Sequence, residues 1–323
     1  MDNSDNSNLM TLKNVDSTLN SNVMPDELVI TINKAKSLSN RNGIAWMLFQ
    51  KNQLIQSHTG FLGDPVFNTP KKPLKSSSTQ RLYISSPPHR FSYSKSELNA
   101  FIQELNVETV CYPTLSPTLS NLLGVEAFKH DDITLIQPEL DATNESLFFG
   151  PATIQSQQRP WTTCFVSINA MGQGVAYEHF LSGFGAKSTL YHALTKDTIV
   201  AVEKTLYQVD AHLDVIKDKC CAIEIESVEA FRALQSKLAS AGQSVLVVLC
   251  GYPFFCQLAN ANVIDESNLY VALTGVPSFA EYPASTNHPE PKIPSLWHWK
   301  VISTQGFDSG VLVKMRREIG IES

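Results

Sequence analysis

The 323-residue chain is short of charge: Asp, Glu, Lys and Arg make up 17% of it, against about a quarter in an ordinary globular protein. It also lacks a basic excess. With 25 Lys and Arg against 31 Asp and Glu, the formal charge is −6, which offers no electrostatic footprint for nucleic acid. No apolar run approaches the ~20 residues needed to span a bilayer, so no membrane partner is expected. The first residues carry no basic-then-apolar pattern, and a secretion signal is not expected. Six Cys, at 111, 164, 220, 221, 250 and 256, include no Cys-x-x-Cys pair. Their apolar surroundings predict buried thiols in a reducing compartment, the cytoplasm, rather than a disulfide framework.

What is present is the composition of a folded chain, 43% hydrophobic and 9% aromatic, long enough for two domains of roughly 150 residues, each with its own core. The first 22 residues hold six Asn and four Ser and predict a flexible leader over 1–24. Apolar residues then recur at helical spacing over Glu27–Leu38 and again over Ser94–Leu105, where Leu98, Phe101, Ile102 and Leu105 share a face. Strand patterns fall at Ile44–Phe49, Gln53–His58, Leu82–Ile84, Val107–Tyr112 and Ile133–Ile136. This alternation predicts a three-layer α/β domain over 25–142. Residues 143–158 read as a linker. A second alternating half follows over 159–323. It has strands at Thr162–Asn169, Thr198–Val202, Ala222–Ile225 and Leu269–Leu273, and a fully apolar one at Ser244–Leu249 of the kind buried in a parallel sheet. Val311–Met315 is expected as an edge strand.

Several stretches then line up in order. Arg159-Pro160-Trp161 enters a strand ending Ser167-Ile-Asn-Ala-Met-Gly172; Thr198-Ile-Val-Ala-Val-Glu-Lys-Thr205 leads to Asp210 and Leu213; Val245–Leu249 runs into Cys250-Gly251; Leu258 to Ile264 ends in Asp265-Glu266. In the first half, Gly63-Asp64-Pro65 and Tyr83-Ile-Ser-Ser-Pro87 complete the series. In order and spacing, over roughly residues 27–316, the chain resembles the bifunctional deaminase–reductase of riboflavin biosynthesis. The resemblance implies a cytidine-deaminase-like three-layer domain followed by a dihydrofolate-reductase-like domain. It also implies NADPH as cofactor, a pyrimidine ribityl or ribosyl phosphate as small-molecule partner, and a homodimer through the second domain.

A zinc deaminase needs a His and two Cys on one Zn²⁺ and a Glu that shuttles protons. The resemblance places the His at Val66, the Glu at Asn68, and the two Cys at Pro88 and near Glu97. None of these keeps the family's residue, so neither zinc nor deamination is expected. His58, His89 and Glu97 lie close in sequence to the lost set and are expected as ordinary surface or half-buried residues.

A reductase site needs a turn at a helix start where backbone N–H groups approach the dinucleotide phosphates. The resemblance assigns cofactor binding to Ser167, Thr205, Asp210, Gly251, Tyr252 and Pro253, and substrate binding to Ser182, His192, Leu213 and Cys250. Departures are plain: Phe165 stands for the family's Lys, Met171 for its Asp, Cys250 for its substrate-facing Glu, His192 for an Arg and Tyr252 for a Gly. Tyr252 is expected to exclude a positive φ and to push its ring toward the phosphates. Gly183-x-Gly185-x-x-Ser188 follows no strand directly and reads as a plain turn. Two functions stay open: an NADPH-dependent reductase of a phosphoribosylaminopyrimidine with an inactive deaminase domain, and a non-catalytic protein that binds a pathway metabolite or a partner enzyme.

Overall fold

The computed structural model describes residues 24–37, 43–61, 67, 80–90, 92–140, 144–174, 198–209, 220–273, 299–307 and 310–317. They form two compact units, divided between Glu145 and Ser146. Each is a mixed α/β unit built on one sheet. Among the described residues, no helix is long and apolar enough to cross a membrane.

The first unit holds helix α1 (Asp26–Ser37), strands β1 (Gly43–Gln50), β2 (Gln53–Phe61) and β3 (Gln80–Ile84), helix α2 (Lys95–Leu105), β4 (Val107–Cys111), α3 (Pro117–Leu123) and β5 (Thr134–Ile136). The strand order is β2-β1-β3-β4-β5. β1 runs antiparallel to β2 and β3, while β3, β4 and β5 are parallel. The β1–β2 turn places Lys51 and Asn52 at φ 49° and 63°, the pair of left-handed residues that a two-residue hairpin uses. β1 is buried on both faces. Its even positions Ile44, Trp46 and Leu48 pack with Leu98, Phe101, Ile102 and Leu105 of α2, the face predicted from their spacing. α1 packs against β1 and β3, burying Leu28, Ile32 and Ala35.

A 3-10 turn (Asn144–Phe148) spans the boundary between the units, and α4 (Phe149–Gln157) opens the second. This helix occupies most of the stretch expected as a linker. Its first residue stacks on Trp161, with ring centroids 4.7 Å apart. Then come β6 (Trp161–Asn169), β7 (Ile199–Glu203), α5 (Lys204–Val209), β8 (Cys221–Ile225), α6 (Val228–Ser240), β9 (Val245–Leu249), α7 (Tyr252–Asn260), β10 (Glu266–Ala272), β11 (Trp299–Phe307) and β12 (Gly310–Arg317). The sheet order is β11-β12-β10-β6-β9-β7-β8, parallel from β10 to β8 and antiparallel in the last two strands. β12 is therefore not an edge strand as expected. β11 lies outside it, exposed along nearly its whole length and bulged between Val301 and Ser303.

Period-two alternation divides this core in two. Phe165, Val200, Val202, Val247, Leu249 and Tyr270 line one face of the sheet. Cys164, Val166, Ala201, Leu246, Val248 and Cys250 line the other, under Phe231 and Leu238 of α6 and Phe254, Phe255 and Leu258 of α7.

A buried ion pair ties this unit together across 106 residues. The Arg159 guanidinium donates to both oxygens of Asp265, at 2.5 and 2.6 Å, and Asp265 Oδ2 also accepts the N–H of Thr162 at 2.8 Å. Arg317 lies 3.7 Å from the same carboxylate. Two of the stretches that carried the resemblance, Arg159-Pro160-Trp161 and Asp265-Glu266, thus meet in space at the starts of β6 and β10.

Candidate functional site

In an open parallel sheet, ligands bind beyond the carboxyl ends of strands whose connections leave toward opposite faces. β7 and β9 are such neighbours. After β7 the chain enters α5, whose Leu206 joins the face of Phe165 and Leu249. After β9 it enters α7, whose Phe254 and Phe255 join the face of Cys164 and Val248. By that rule the gap between these two strand ends is where a ligand is expected, and Glu203, Thr205, Cys250, Gly251, Tyr252 and Pro253 are the residues at or just beyond them.

The gap is bridged by the chain itself. Glu203, last residue of β7 and 8% exposed, accepts the N–H of Gly251 on Oε2 at 2.8 Å. Gly251 is the N-cap of α7, at φ −69° and ψ 161°, and no side chain caps that helix. A carboxylate at this end of a helix lies at the positive pole of its dipole. Two residues on, Pro253 contributes no N–H to this helix start, while Tyr252 between them keeps its own. Tyr252 takes no positive φ, as expected. Gly251 has a negative φ that any residue adopts, and Tyr252 opens the helix with its ring stacked over Phe255, centroids 6.2 Å apart. Burial pushes its phenol up to about 12. The ring packs along its own helix.

Cys250, assigned to face the substrate, is fully buried. Its Sγ lies 3.5 Å from that of Cys164. Burial pushes its thiol well above the ordinary range, with Cys164, Glu203 and Cys256 raising it further. A thiol held protonated in an apolar core is a poor nucleophile and a poor ligand. Phe165 is buried on the opposite face of β6, where the family's Lys would have to be polar and reachable.

Ser167 lies near the carboxyl end of β6, buried, with no hydrogen-bond partner for its hydroxyl. Just beyond it, Asn169 closes a tight turn: its Oδ1 accepts the N–H groups of Met171 and Gln173 at 3.0 and 2.9 Å. Gly172 takes φ 78° there, a value that favours glycine. Met171 stands out in solvent, 84% exposed. Thr205 is half-buried in the first turn of α5. Asp210, Leu213, Ser182 and His192, and the 183–188 turn, lie outside the described residues.

In the first unit, Pro88 offers only its carbonyl, which accepts the N–H of Glu126 at 2.9 Å. Glu97 closes the capping box of α2, its carboxylate accepting the N–H of Ser94 at 2.7 Å. His58 stacks on Trp46 from the neighbouring strand. His89 is buried, and burial alone depresses its imidazole to about 4. Val66 and Asn68 lie outside the described residues. Among the described residues, no three His, Cys, Asp or Glu side chains come together as a metal set. Pro88 has no side-chain donor for a zinc ion, and the Glu97 carboxylate is engaged at the start of α2. Cys220 is buried as expected for the adjacent pair, but Cys221 is exposed on the edge strand β8.

No family model and no curated protein sequence matches the chain. Solved structures do. The diaminohydroxyphosphoribosylaminopyrimidine deaminase/5-amino-6-(5-phosphoribosylamino)uracil reductase of Thermotoga maritima matches with a TM-score of 0.54 at 14% identity, over 90% of this chain and 97% of that one. RibD of Acinetobacter baumannii matches in two crystal forms, each with a TM-score of 0.56 at 13% identity over 90% of this chain. The likeness is one of fold. It extends through both units, as expected for a deaminase-like domain followed by a reductase-like one. At the helix start to which the resemblance assigns cofactor binding, Glu203 accepts the N–H of Gly251.

Glu203 is the residue that the sequence reading missed. A single carboxylate closing the apolar run Ile199–Val202 was the signal available for it.

Proposed function

We propose that the protein is a non-catalytic relative of the riboflavin-pathway deaminase–reductases, one that binds a phosphoribosylated pyrimidine or a partner enzyme without turning the pyrimidine over. The observation that carries this reading is Cys250: at the position assigned to the substrate-facing Glu, a neutral thiol is buried against Cys164. Support in the first unit comes from Glu97, whose carboxylate is engaged at the start of its own helix. The likeness over nearly all of both chains favours an origin in that fold over a chance match of one half.

Ser167 favours the other reading, an NADPH-dependent reductase, because its buried hydroxyl lacks a partner beside a strand end where ligands bind. One assay separates the two. The purified full chain is mixed with NADPH and 5-amino-6-(5-phosphoribosylamino)uracil, and absorbance of the reduced nicotinamide is followed, with calorimetric titration of the pyrimidine in parallel. The expected result is saturable pyrimidine binding with no NADPH oxidation. Steady oxidation that requires the pyrimidine overturns the proposal.

A further inference from the structure

We infer that Cys164 and Cys250 are a redox-sensitive dithiol, which hydrogen peroxide closes into a disulfide between β6 and the turn that starts α7. The inference goes beyond the reading above and does not depend on it, since it needs neither a pyrimidine nor a dinucleotide.

β6 and β9 are adjacent parallel strands, with Cys164 opposite Val248 and Phe165 opposite Leu249. Opposite residues share a face of the sheet, as do residues two apart on one strand. Cys250, two residues past Val248, therefore lies on the Cys164 side, and both thiols belong to one core cluster. Their sulfurs are 3.5 Å apart, against about 2.05 Å in a disulfide. The difference can be closed from one side. Cys164 is held inside the ladder, whereas Cys250 follows the last residue of β9 and reaches the Phe165 carbonyl with its N–H at a long 3.4 Å. Cys256, buried nearby, is engaged by the Tyr252 side chain, which leaves Cys164 and Cys250 as the facing pair. Gly251, the N-cap of α7, comes directly after Cys250, so closure draws that helix start toward β6.

Closure takes two steps. One sulfur attacks a peroxide oxygen and the O–O bond breaks, giving a sulfenic acid and one water. The second sulfur attacks the sulfenic sulfur and the S–O bond breaks, releasing a second water. The two thiols lose two electrons and two protons, and one peroxide is reduced to two waters. Burial keeps the Cys250 thiol protonated and makes the first step slow. The second needs no diffusion, because the partner sulfur is already in contact. Of the six cysteines only Cys221 is exposed, so a small neutral oxidant reaches the pair where bulky reagents do not. In a reducing compartment such a bridge is transient.

The test uses the full chain. Cys221 is capped with N-ethylmaleimide in the folded protein, which is then treated with hydrogen peroxide. The remaining thiols are capped under denaturing conditions with isotope-labelled maleimide, and peptides digested without reductant are mapped by mass spectrometry. The expected result is a peptide pair joined through Cys164 and Cys250, formed more slowly than Cys221 is capped and lost on treatment with dithiothreitol. Cys256→Ser is expected to form the same link and Cys250→Ser none. Cys164 and Cys250 recovered as free thiols after prolonged peroxide, or joined to any other cysteine, overturn the inference. A second measurement needs no variant. The Gly251 amide resonance is expected to move on oxidation and to return on reduction, and an unmoved resonance in the linked protein overturns the coupling to α7.

Discussion

Asn in place of Asp265 is the most informative single change in the second unit. The side chains of Arg159 and Asp265 are 10% and 4% exposed, respectively, so the pair is shielded from both water and salt. Asp265→Asn keeps the shape but removes the charge that Arg159 faces along both arms of its guanidinium. It also leaves Arg317, 3.7 Å from Asp265 Oδ1, with no anion between it and Arg159. Burial already lowers Arg317, and proximity to Arg159 lowers it further, while Asp265 is what raises it. Breaking a buried pair by removing one partner costs about 3–5 kcal/mol. For a unit of this size that is a fall in Tm of roughly 6–20 °C. Removing both charges together, as Arg159→Met with Asp265→Leu, removes the pair's uncompensated ion and recovers part of the loss, the remainder being the Arg317 guanidinium that Asp265 also faced. Calorimetric unfolding of the parent, both single variants and the double variant, at low and at molar salt, gives the coupling. Two results refute the reasoning: a double variant as unstable as the single ones, or a coupling that molar salt abolishes as it would a surface pair.

Two further outcomes follow from the packing. His89 is depressed from 6.5 to about 4 by burial, so its neutral form belongs to the folded state. The stability it contributes is complete above pH 6.5 and is lost as pH falls toward 4, by about 3 kcal/mol. Denaturant unfolding of His89→Phe across that range is expected to show a shallower pH slope than the parent, and equal slopes rule this out. At Gly310, an added Cβ would lie 2.4 Å from the Val271 carbonyl oxygen and 2.6 Å from the Tyr270 ring. Gly310→Ala must therefore push β12 from β10, at a cost of about 1–3 kcal/mol; an unchanged Tm would show that the strands part freely.

The parts of the fold that were legible in the sequence are those set by local periodicity. The apolar run Val245–Leu249 became a strand flanked on both sides in the sheet, and the helical stripe of α2 became the face that fills the first core. Helix α4 was not legible, because Phe149-Gly150-Pro151 at its start reads as a chain break. Nor was the inner position of β12, because whether a strand is an edge depends on where β11 returns, beyond a long intervening segment. The site was legible as a place but not as chemistry. The Gly251 turn was correctly placed at a helix start. What holds its amide is Glu203, 48 residues earlier, and no local pattern links the two. Glu97 illustrates the converse: a side chain near a lost zinc-ligand position is accounted for by the Ser94 N-cap three residues before it.

The bulge in β11 has a consequence for how the chain behaves at high concentration. A nine-residue outer strand with Val301 and Ile302 exposed would offer a second chain a continuous ladder of amide and carbonyl groups, the usual seed of edge-to-edge aggregation. The register shift between Val301 and Ser303 breaks that ladder. A bulge adds a residue, bends the strand and increases its twist, so an incoming strand cannot stay in step along the whole edge. Lys300, beside the break, adds a charge that a stacked copy would have to face. The irregularity thus interrupts edge pairing at a border of this sheet where Val301 and Ile302 stand exposed.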